Sequence, residues 1–369
     1  MVSSLVLIYN TGLMNIAVGM SGGVDSSVAA LLLKNAGHDV AGIMMKLWRE
    51  TSPKAVTGSA CYGPDEEKDI EAARGVCAEL RIPFYLFDCS TTYEDLIVRD
   101  FREEYLAGRT PNPCVRCNPL IKFGLLPEAA RQSGLAFDHF ATGHYARVSS
   151  DGTSGRFLLK TAADPRKDQS YFLYRLSQVQ LSRAVFPLGE FLKSQVRKMA
   201  RDADLPVHDH PDSQDFYSGD LSELVCGPVT EGDIVDRRGT VVGKHTGIWK
   251  YTVGQRKGLG LSSPIPLYVI AIEVGKNRLV VGPESETYRL SCFVKETAWI
   301  AFDKLIDPQD ALVKIRSTSK PARARISPVG DGRALVEFAE PLSAVTPGQS
   351  AVFYRDDLVI GGGIIENPV

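Results

Sequence analysis

The stretch NIAVGMSGGVDSSVAALLLKNAG, residues 15–37, decides the fold. Residues 15–19 are short and apolar and read as a strand. Residues 26–37 carry helical periodicity and stop at Gly37. Between them lie Gly19, Met20, Ser21, Gly22, Gly23, Val24, Asp25 and Ser26. Glycine and serine at a strand-to-helix turn let backbone N–H groups close around an anion, and the helix start adds its positive dipole end. Asp25 is placed to orient Mg²⁺ on bound phosphates. An ordinary glycine turn with an Asp or Ser cap is the plainer alternative, but SGGxDS directly after a strand is far more specific than a lone GxGxxG. The loop lacks the lysine of a Walker motif, which argues against transfer of a γ-phosphate.

Outward from this stretch the first half alternates strands and helices. HDVAGIMMKLW (38–48) and PFYLFDC (83–89) read as strands, and DEEKDIEAARGVCAELR (65–81) as a helix. A long helix over 92–108, a loop RTPNPCVRCN (109–118), a helix over 121–134 and a strand HFATGHYA (139–146) follow. This alternation predicts an α/β fold with a doubly wound parallel sheet, whose ligands sit beyond the carboxyl ends of the strands. From about Asp209 helical periods disappear and glycine-rich segments take over. The last ninety or so residues give alternating strands such as ALVKIR, ARARI, ALVEFAE, SAVFYR and LVIGGGII, which predict a small closed β-barrel or sandwich, with the barrel preferred. The expected units are 14–208 (α/β, carrying the phosphate loop), 209–283 (small and mixed) and 284–369 (β-barrel). Residues 1–13 read as an extension from an upstream start.

The chain has 369 residues, 44% hydrophobic and 23% charged, which excludes wholesale disorder. No apolar run is long enough to span a bilayer. Net charge is −2, so nucleic-acid binding must rest on local patches. Seven cysteines, an odd number without a secretory signal, predict free thiols in a reducing cytoplasm. Cys114 and Cys117 are three apart just before a helix, placed to share a metal or form a redox pair. Arg116 and the helix start are expected to lower a thiol pKa. Lys167, Asp168 and Gln169 sit in a loop dense in donors and acceptors. Lys193, Arg197 and Arg201 recur at i, i+4 and i+8, and read as a solvated stripe or a phosphate footprint together with Arg256 and Lys257. His144 reads as a satisfied strand-end histidine, and Asp212 and Asp215 as proton carriers or loop caps.

The phosphate loop resembles that of the ATP-adenylating enzymes with a pyrophosphatase-type (PP-) loop, whose fold is adenine nucleotide α-hydrolase-like. Beyond it, GRTPNPC-x-x-CN-x-x-IKFG, ATGHYAR, RKDQSYFLYRL, FPLGE, QVRKMA, YTVGQRKGLG, AVTPGQSAVFY and GGGIIE recur in one order from Met14 onward. In these blocks the chain resembles the tRNA-specific 2-thiouridylase family. The resemblance implies that residues 19–26, with Met45 and Gly143, hold ATP. It implies that Asn112, Pro113 and Cys114 meet the target base, and that Cys117 is the first catalytic cysteine. Lys167, Asp168 and Gln169 match a tRNA-contacting loop, and Arg316 and Ser317 a weaker contact in the barrel. The implied reaction thiolates the wobble uridine of tRNA through an adenylated base. ATP and Mg²⁺ serve the phosphoryl step, and a donor protein or inorganic sulfide supplies the sulfur.

One position departs from the family. The second catalytic cysteine normally follows DS-x-x-x, and here the motif ends in Tyr217. Cys114 stands where many relatives have Asp. Two sulfur routes fit: a persulfide relay between Cys114 and Cys117, or a [4Fe-4S] cluster on both plus a third thiolate, as in iron–sulfur tRNA thiolases. Cys89, Cys226 and Cys61 are nearly level as the third ligand. Cys77 and Cys292 read as core. An ammonia-using adenylating synthetase and a non-catalytic RNA-binding protein are the rival readings. The paired thiols speak against the first, and the intact phosphate loop against the second.

Overall fold

The computed structural model describes residues 12–49, 60–210, 215–217, 220–227, 229–330 and 332–368. Residues 1–11, Asp212 and Ser213 therefore lie outside the described residues, and Asp215 is described in its backbone alone.

Five parallel strands form the first sheet: β1 (Asn15–Gly19), β2 (Asp39–Lys46), β4 (Phe84–Asp88), β5 (His139–Thr142) and β8 (Ala184–Val185), in the order β4-β2-β1-β5-β8. Strand alternation divides β1 between two cores. Ile16 and Val18 pack with the helices Val24–Asn35, Glu66–Glu79 and Lys193–Asp202, whereas Ala17 packs on the other face. The chain runs outward from β1 through β2 to β4 and then returns to β5 on the far side of β1. The reversal opens a crevice at the carboxyl ends of β1 and β5, and the glycine-rich loop leaves β1 there.

Two pairings fall outside the sequence-based expectation. β3 (Ala60–Tyr62) pairs in parallel with β9 (Asp215–Tyr217). A hairpin of β6 (Arg147–Ser150) and β7 (Phe157–Lys160) joins the last strand of the chain through Lys160 and Leu358. The pairings of both join distant segments, which local periodicity does not report. The predicted strand 139–146 ends at Thr142, because Gly143 turns the backbone onto the phosphate loop. The predicted loop 109–118 contains a short helix, Pro113–Cys117, opened by proline at its first position. That helix runs directly into a π-helical stretch, Asn118–Leu125.

After β9 a small sheet has the order β11-β10-β13-β12, from β10 (Gly232–Val235), β11 (Val241–His245), β12 (Tyr268–Glu273) and β13 (Arg278–Gly282). Six strands then close into a barrel: β14 (Tyr288–Trp299), β15 (Gln309–Lys314), β16 (Ala322–Pro328), β17 (Ala334–Ser343), β18 (Ser350–Arg355) and β19 (Leu358–Pro368). Their order is β14-β17-β16-β15-β18-β19, and β14 pairs with β19 to complete the ring. Cys292 is fully buried in the barrel core and Cys77 in the first domain, as expected of structural thiols.

Candidate active site

The phosphate loop is shaped by close approach. Gly22 has φ +71°, and a Cβ there would stand 2.5 Å from the Asp69 carbonyl oxygen. A Cβ on Gly143 would stand 2.6 Å from the Ser26 nitrogen, so only glycine lets this segment lie on the loop. Ser26 Oγ accepts from the Ser21 N–H at 3.2 Å, pairs with Ser21 Oγ at 3.1 Å and donates to the Gly23 carbonyl at 3.2 Å. The helix Val24–Asn35 begins without a side-chain cap, which leaves its first amides available to an anion. Met45 lies at the carboxyl end of β2, half-buried.

Asp25 is held from two sides. Tyr145, buried, donates its hydroxyl to Oδ1 at 2.8 Å. Lys193 places its Nζ 2.7 Å from Oδ1 and 2.7 Å from Oδ2. The sequence-based stripe of Lys193, Arg197 and Arg201 is therefore corrected at its first member. Lys193 is buried and turned into the loop, and only Arg201 is fully exposed. Arg197 reaches the carbonyls of His208 and His210. A lysine opening a helix runs against the usual charge preference, which was the one local signal of its role.

The thiols gather around a lysine. Lys122, in the π-helical stretch one turn beyond Cys117, lies within electrostatic reach of Cys61, Cys117 and Cys114. Burial works against its charge, but the three thiols hold its pKa above the ordinary value. The buried Tyr93 hydroxyl is within reach of the same three. The expected lowering of the thiol pKa is not found. Burial pushes Cys114 up to about 11 and Cys117 up to about 12, and outweighs Lys122. Arg116 is spent elsewhere, 2.9 Å from Asp100 and 3.6 Å from Glu296.

Among the third-thiol candidates, Cys61 is the one brought to Lys122 together with Cys114 and Cys117. Cys89 is buried in the same aromatic and aliphatic cluster as Cys117 and lies at the margin of its electrostatic surroundings. Cys226 is exposed and donates to the Glu223 carbonyl at 3.0 Å, away from the others. Among the described residues no three His, Cys, Asp or Glu side chains are grouped to hold a metal ion. The expected cluster ligation by Cys114, Cys117 and Cys89, Cys226 or Cys61 finds no such grouping among the described residues, and the positive charge nearest these thiols in electrostatic terms is Lys122. A magnesium ion needs little from protein when phosphates supply most ligands, and Asp25 suits that role.

His144 joins the two halves of the site. Its Nδ1 is 2.8 Å from Thr142 Oγ1, and burial followed by the Lys122 charge holds its pKa well below the ordinary value. It stays neutral, in keeping with the structural reading. The segment that leads to Asn112 is pinned from both later domains. Thr110 donates its N–H to the Pro347 carbonyl at 2.8 Å, accepts from Gln349 Nε2 at 2.9 Å and shares a hydroxyl contact of 3.0 Å with Thr252. Asn112, Pro113 and Cys114 follow directly, all partly exposed.

The expected tRNA contacts divide. Lys167 is half-buried. The Asp168 carboxylate accepts from the Ala162 and Ser170 N–H groups and from Ser170 Oγ, so it shapes its own turn. Gln169 Oε1 accepts from the Tyr145 N–H at 2.9 Å, which ties this loop to the residue holding Asp25. Arg316 is turned inward, with Nη2 2.6 Å from Thr346 Oγ1 and 3.3 Å from the Val253 and Ala344 carbonyls. Ser317 is half-buried. Arg256 and Lys257 are exposed.

Three family models match in chain order. They are described as a tRNA methyl transferase HUP domain over residues 14–217, a tRNA methyl transferase PRC-barrel domain over 225–283 and an aminomethyltransferase beta-barrel domain over 289–365. The tRNA-specific 2-thiouridylase MnmA of Endomicrobium trichonymphae is 48% identical over 95% of this chain and 99% of its own length. That of Clostridium perfringens strain 13 is 42% identical over 95% and 98%. Among solved structures, the U34-tRNA thiolase NcsA of Methanococcus maripaludis with its [4Fe-4S] cluster is 20% identical, over 58% of this chain and 64% of that one, with a TM-score of 0.35.

Proposed function

The chain belongs to the tRNA-specific 2-thiouridylase family, and on that premise we propose that it thiolates the wobble uridine at C2 using thiols gathered around Lys122. It is an ATP-dependent tRNA-thiolating enzyme. Uridine O2 attacks the α-phosphate of ATP, releasing pyrophosphate and leaving an adenylated base. Residues 19–26 and Gly143 would hold the nucleotide, with Asp25 directed to the phosphates. Mg²⁺ supplies charge neutralisation on the phosphates when bound. Sulfur then adds at C2 and AMP leaves.

The observation that carries the sulfur step is that Cys61, Cys114 and Cys117 share the electrostatic surroundings of Lys122. It supports a persulfide route. The outer sulfur of a persulfide on one thiol adds to C2. A second thiol then attacks the bridging sulfur, which frees 2-thiouridine and leaves a disulfide that an external dithiol reduces. The Lys122 ammonium stabilises the attacking thiolate. A donor persulfide recharges the reduced thiol by handing over its outer sulfur; alternatively inorganic sulfide opens the disulfide before it is reduced, which leaves a persulfide on one cysteine and a free thiol on the other. We assign Asn112, Pro113 and Lys167, all partly exposed, to the tRNA, and Arg256 and Lys257 to its phosphates. Among the described residues no helix is long and apolar enough to cross a membrane, and we place the enzyme in the cytoplasm with its substrate.

The test combines purified protein, unmodified tRNA, ATP and a persulfide donor, and measures AMP, pyrophosphate and 2-thiouridine. Equal yields of AMP and 2-thiouridine from iron-free protein support the reading. AMP formation with ammonia and no tRNA would favour a synthetase, and no turnover a binding protein. A brown protein purified without oxygen, whose activity tracks bound iron and sulfide, would replace the relay by the cluster.

A further inference from the structure

We propose that Lys193 is the polyphosphate-binding cation of this ATP site, supplied from a distant helix to a loop that carries none of its own. The proposal rests on reading residues 19–26 as the nucleotide loop. Lys193 opens the helix Lys193–Asp202, where a positive charge faces the positive end of the helix dipole, and it is buried as well. Both features are unfavourable for an ammonium unless an anion compensates. Asp25 does so here, with both oxygens 2.7 Å from Nζ.

The anchoring is firm. The Lys193 N–H donates to Asp164 Oδ2 at 3.1 Å, and Asp164 is itself 1% exposed. Gln195 Oε1 accepts from the Leu192 N–H at 2.7 Å and fixes the entry to the helix. The ammonium lies 5.8 Å from the centre of the Tyr145 ring, whose hydroxyl also binds Asp25. The backbone is therefore fixed on Asp164, and the ammonium is held on Asp25 of the phosphate loop.

Asp25 would also be the residue to orient a phosphate-bound magnesium, and it could not then give both oxygens to an ammonium. Lys193 is then left beside the phosphates, next to the uncapped amides of the helix Val24–Asn35. Before ATP arrives, Lys193 masks the negative charge of Asp25 that would repel it. Lys193 thus keeps the empty loop receptive to anions and then holds the β- and γ-phosphates or the departing pyrophosphate.

Equilibrium titration with Mg-ATP, magnesium pyrophosphate and adenosine tests this on the full chain. Lys193→Met should weaken Mg-ATP and pyrophosphate by about 10- to 100-fold, the value of a charge-assisted contact, and leave adenosine within about twofold. Lys193→Arg should recover part of the loss. Unchanged Mg-ATP affinity in a folded Lys193→Met protein overturns the proposal. So does an equal loss for adenosine, which marks a merely structural ion pair. If Lys193→Met does not fold, the comparison is made between Asp25→Asn and Asp25→Asn/Lys193→Met, which leave no unpaired carboxylate. The added substitution should still weaken pyrophosphate about tenfold, and no change there overturns the proposal. Failure of the underlying site reading is distinct, because the unaltered protein would then bind neither ATP nor pyrophosphate.

Discussion

Tyr62 stands opposite Tyr217 in the parallel pairing of β3 with β9, their rings 6.4 Å apart. Position 217 is where the family pattern has its second cysteine. The register therefore sets Cys61 on the strand that flanks the missing thiol, one residue from the tyrosine opposite it. Side chains alternate along the strand, so Cys61 leaves β3 on the face opposite to Tyr62 and Tyr217 and is exposed where they are buried.

Cys61→Ala, Cys114→Ala and Cys117→Ala should each lower 2-thiouridine yield at least about tenfold while AMP formation persists. Tyr217→Phe should keep yield within about twofold. It loses only the hydrogen bond to Glu223, 2.5 Å long, so the unfolding free energy should fall by about 1 kcal/mol. Mass spectrometry of digested tRNA and denaturant melts give the two readings. Full yield from Cys61→Ala would remove Cys61 from the route.

Alkylation should expose the thiol protonation directly. With Cys114 near 11 and Cys117 near 12, both are protonated at neutral pH. The rate at Cys114 should rise about tenfold per pH unit from 7 to 10 without levelling off. Lys122→Met should slow it at every pH, because the cation that favours the thiolate is gone. A plateau below pH 9 would contradict the burial that raises these groups.

Arg316→Ala should loosen the joint between the middle segment and the barrel, since its guanidinium links Val253 to Ala344 and Thr346. The expected result is a lower melting temperature with an unchanged salt dependence of tRNA affinity. Arg256→Ala and Lys257→Ala should do the opposite, each reducing the log–log salt slope by about one. A lower slope in Arg316→Ala would restore Arg316 as a tRNA contact.

Glu66 should titrate near neutrality. Burial raises its carboxyl to about 7, although the Leu47 and Trp48 N–H groups donate to it at 2.6 and 3.0 Å. The folded protein thus keeps a proton that the unfolded chain has released above about 4.5. The corresponding stability is present at low pH and is lost as pH rises through 7. Carbon-detected NMR of labelled glutamate should show a midpoint near 7, and a midpoint near 4.5 would contradict it.

The parallel sheet, its loop and the closed barrel were legible because each depends on local periodicity. NIAVG packs by alternation, and ALVKIR and its neighbours repeat at a spacing of two. The Cys114 and Cys117 pair was legible for the same reason, lying within one turn of helix. Lys193 and Tyr145 were not legible as members of the nucleotide site, because long-range chain return brings them in, and Cys61 was legible only as one of three level candidates for a third thiol. Lys193 meets Asp25 across 168 residues, and no period extends that far. The thiol pKa direction was misjudged because burial is a tertiary property, and Arg116 finds acidic partners on other elements.

Thr110 has a further consequence in time. Its carbonyl is held by Gln349, 239 residues later, and its hydroxyl by Thr252. On a ribosome the nucleotide-binding half emerges long before either partner exists. During that interval Asn112, Pro113 and Cys114 lack their outer support, even though the parallel sheet can already form. The enzyme is therefore completed by its late-translated residues, and a partly synthesised chain cannot hold the segment after Thr110 in its finished place while still attached to the machinery that made it.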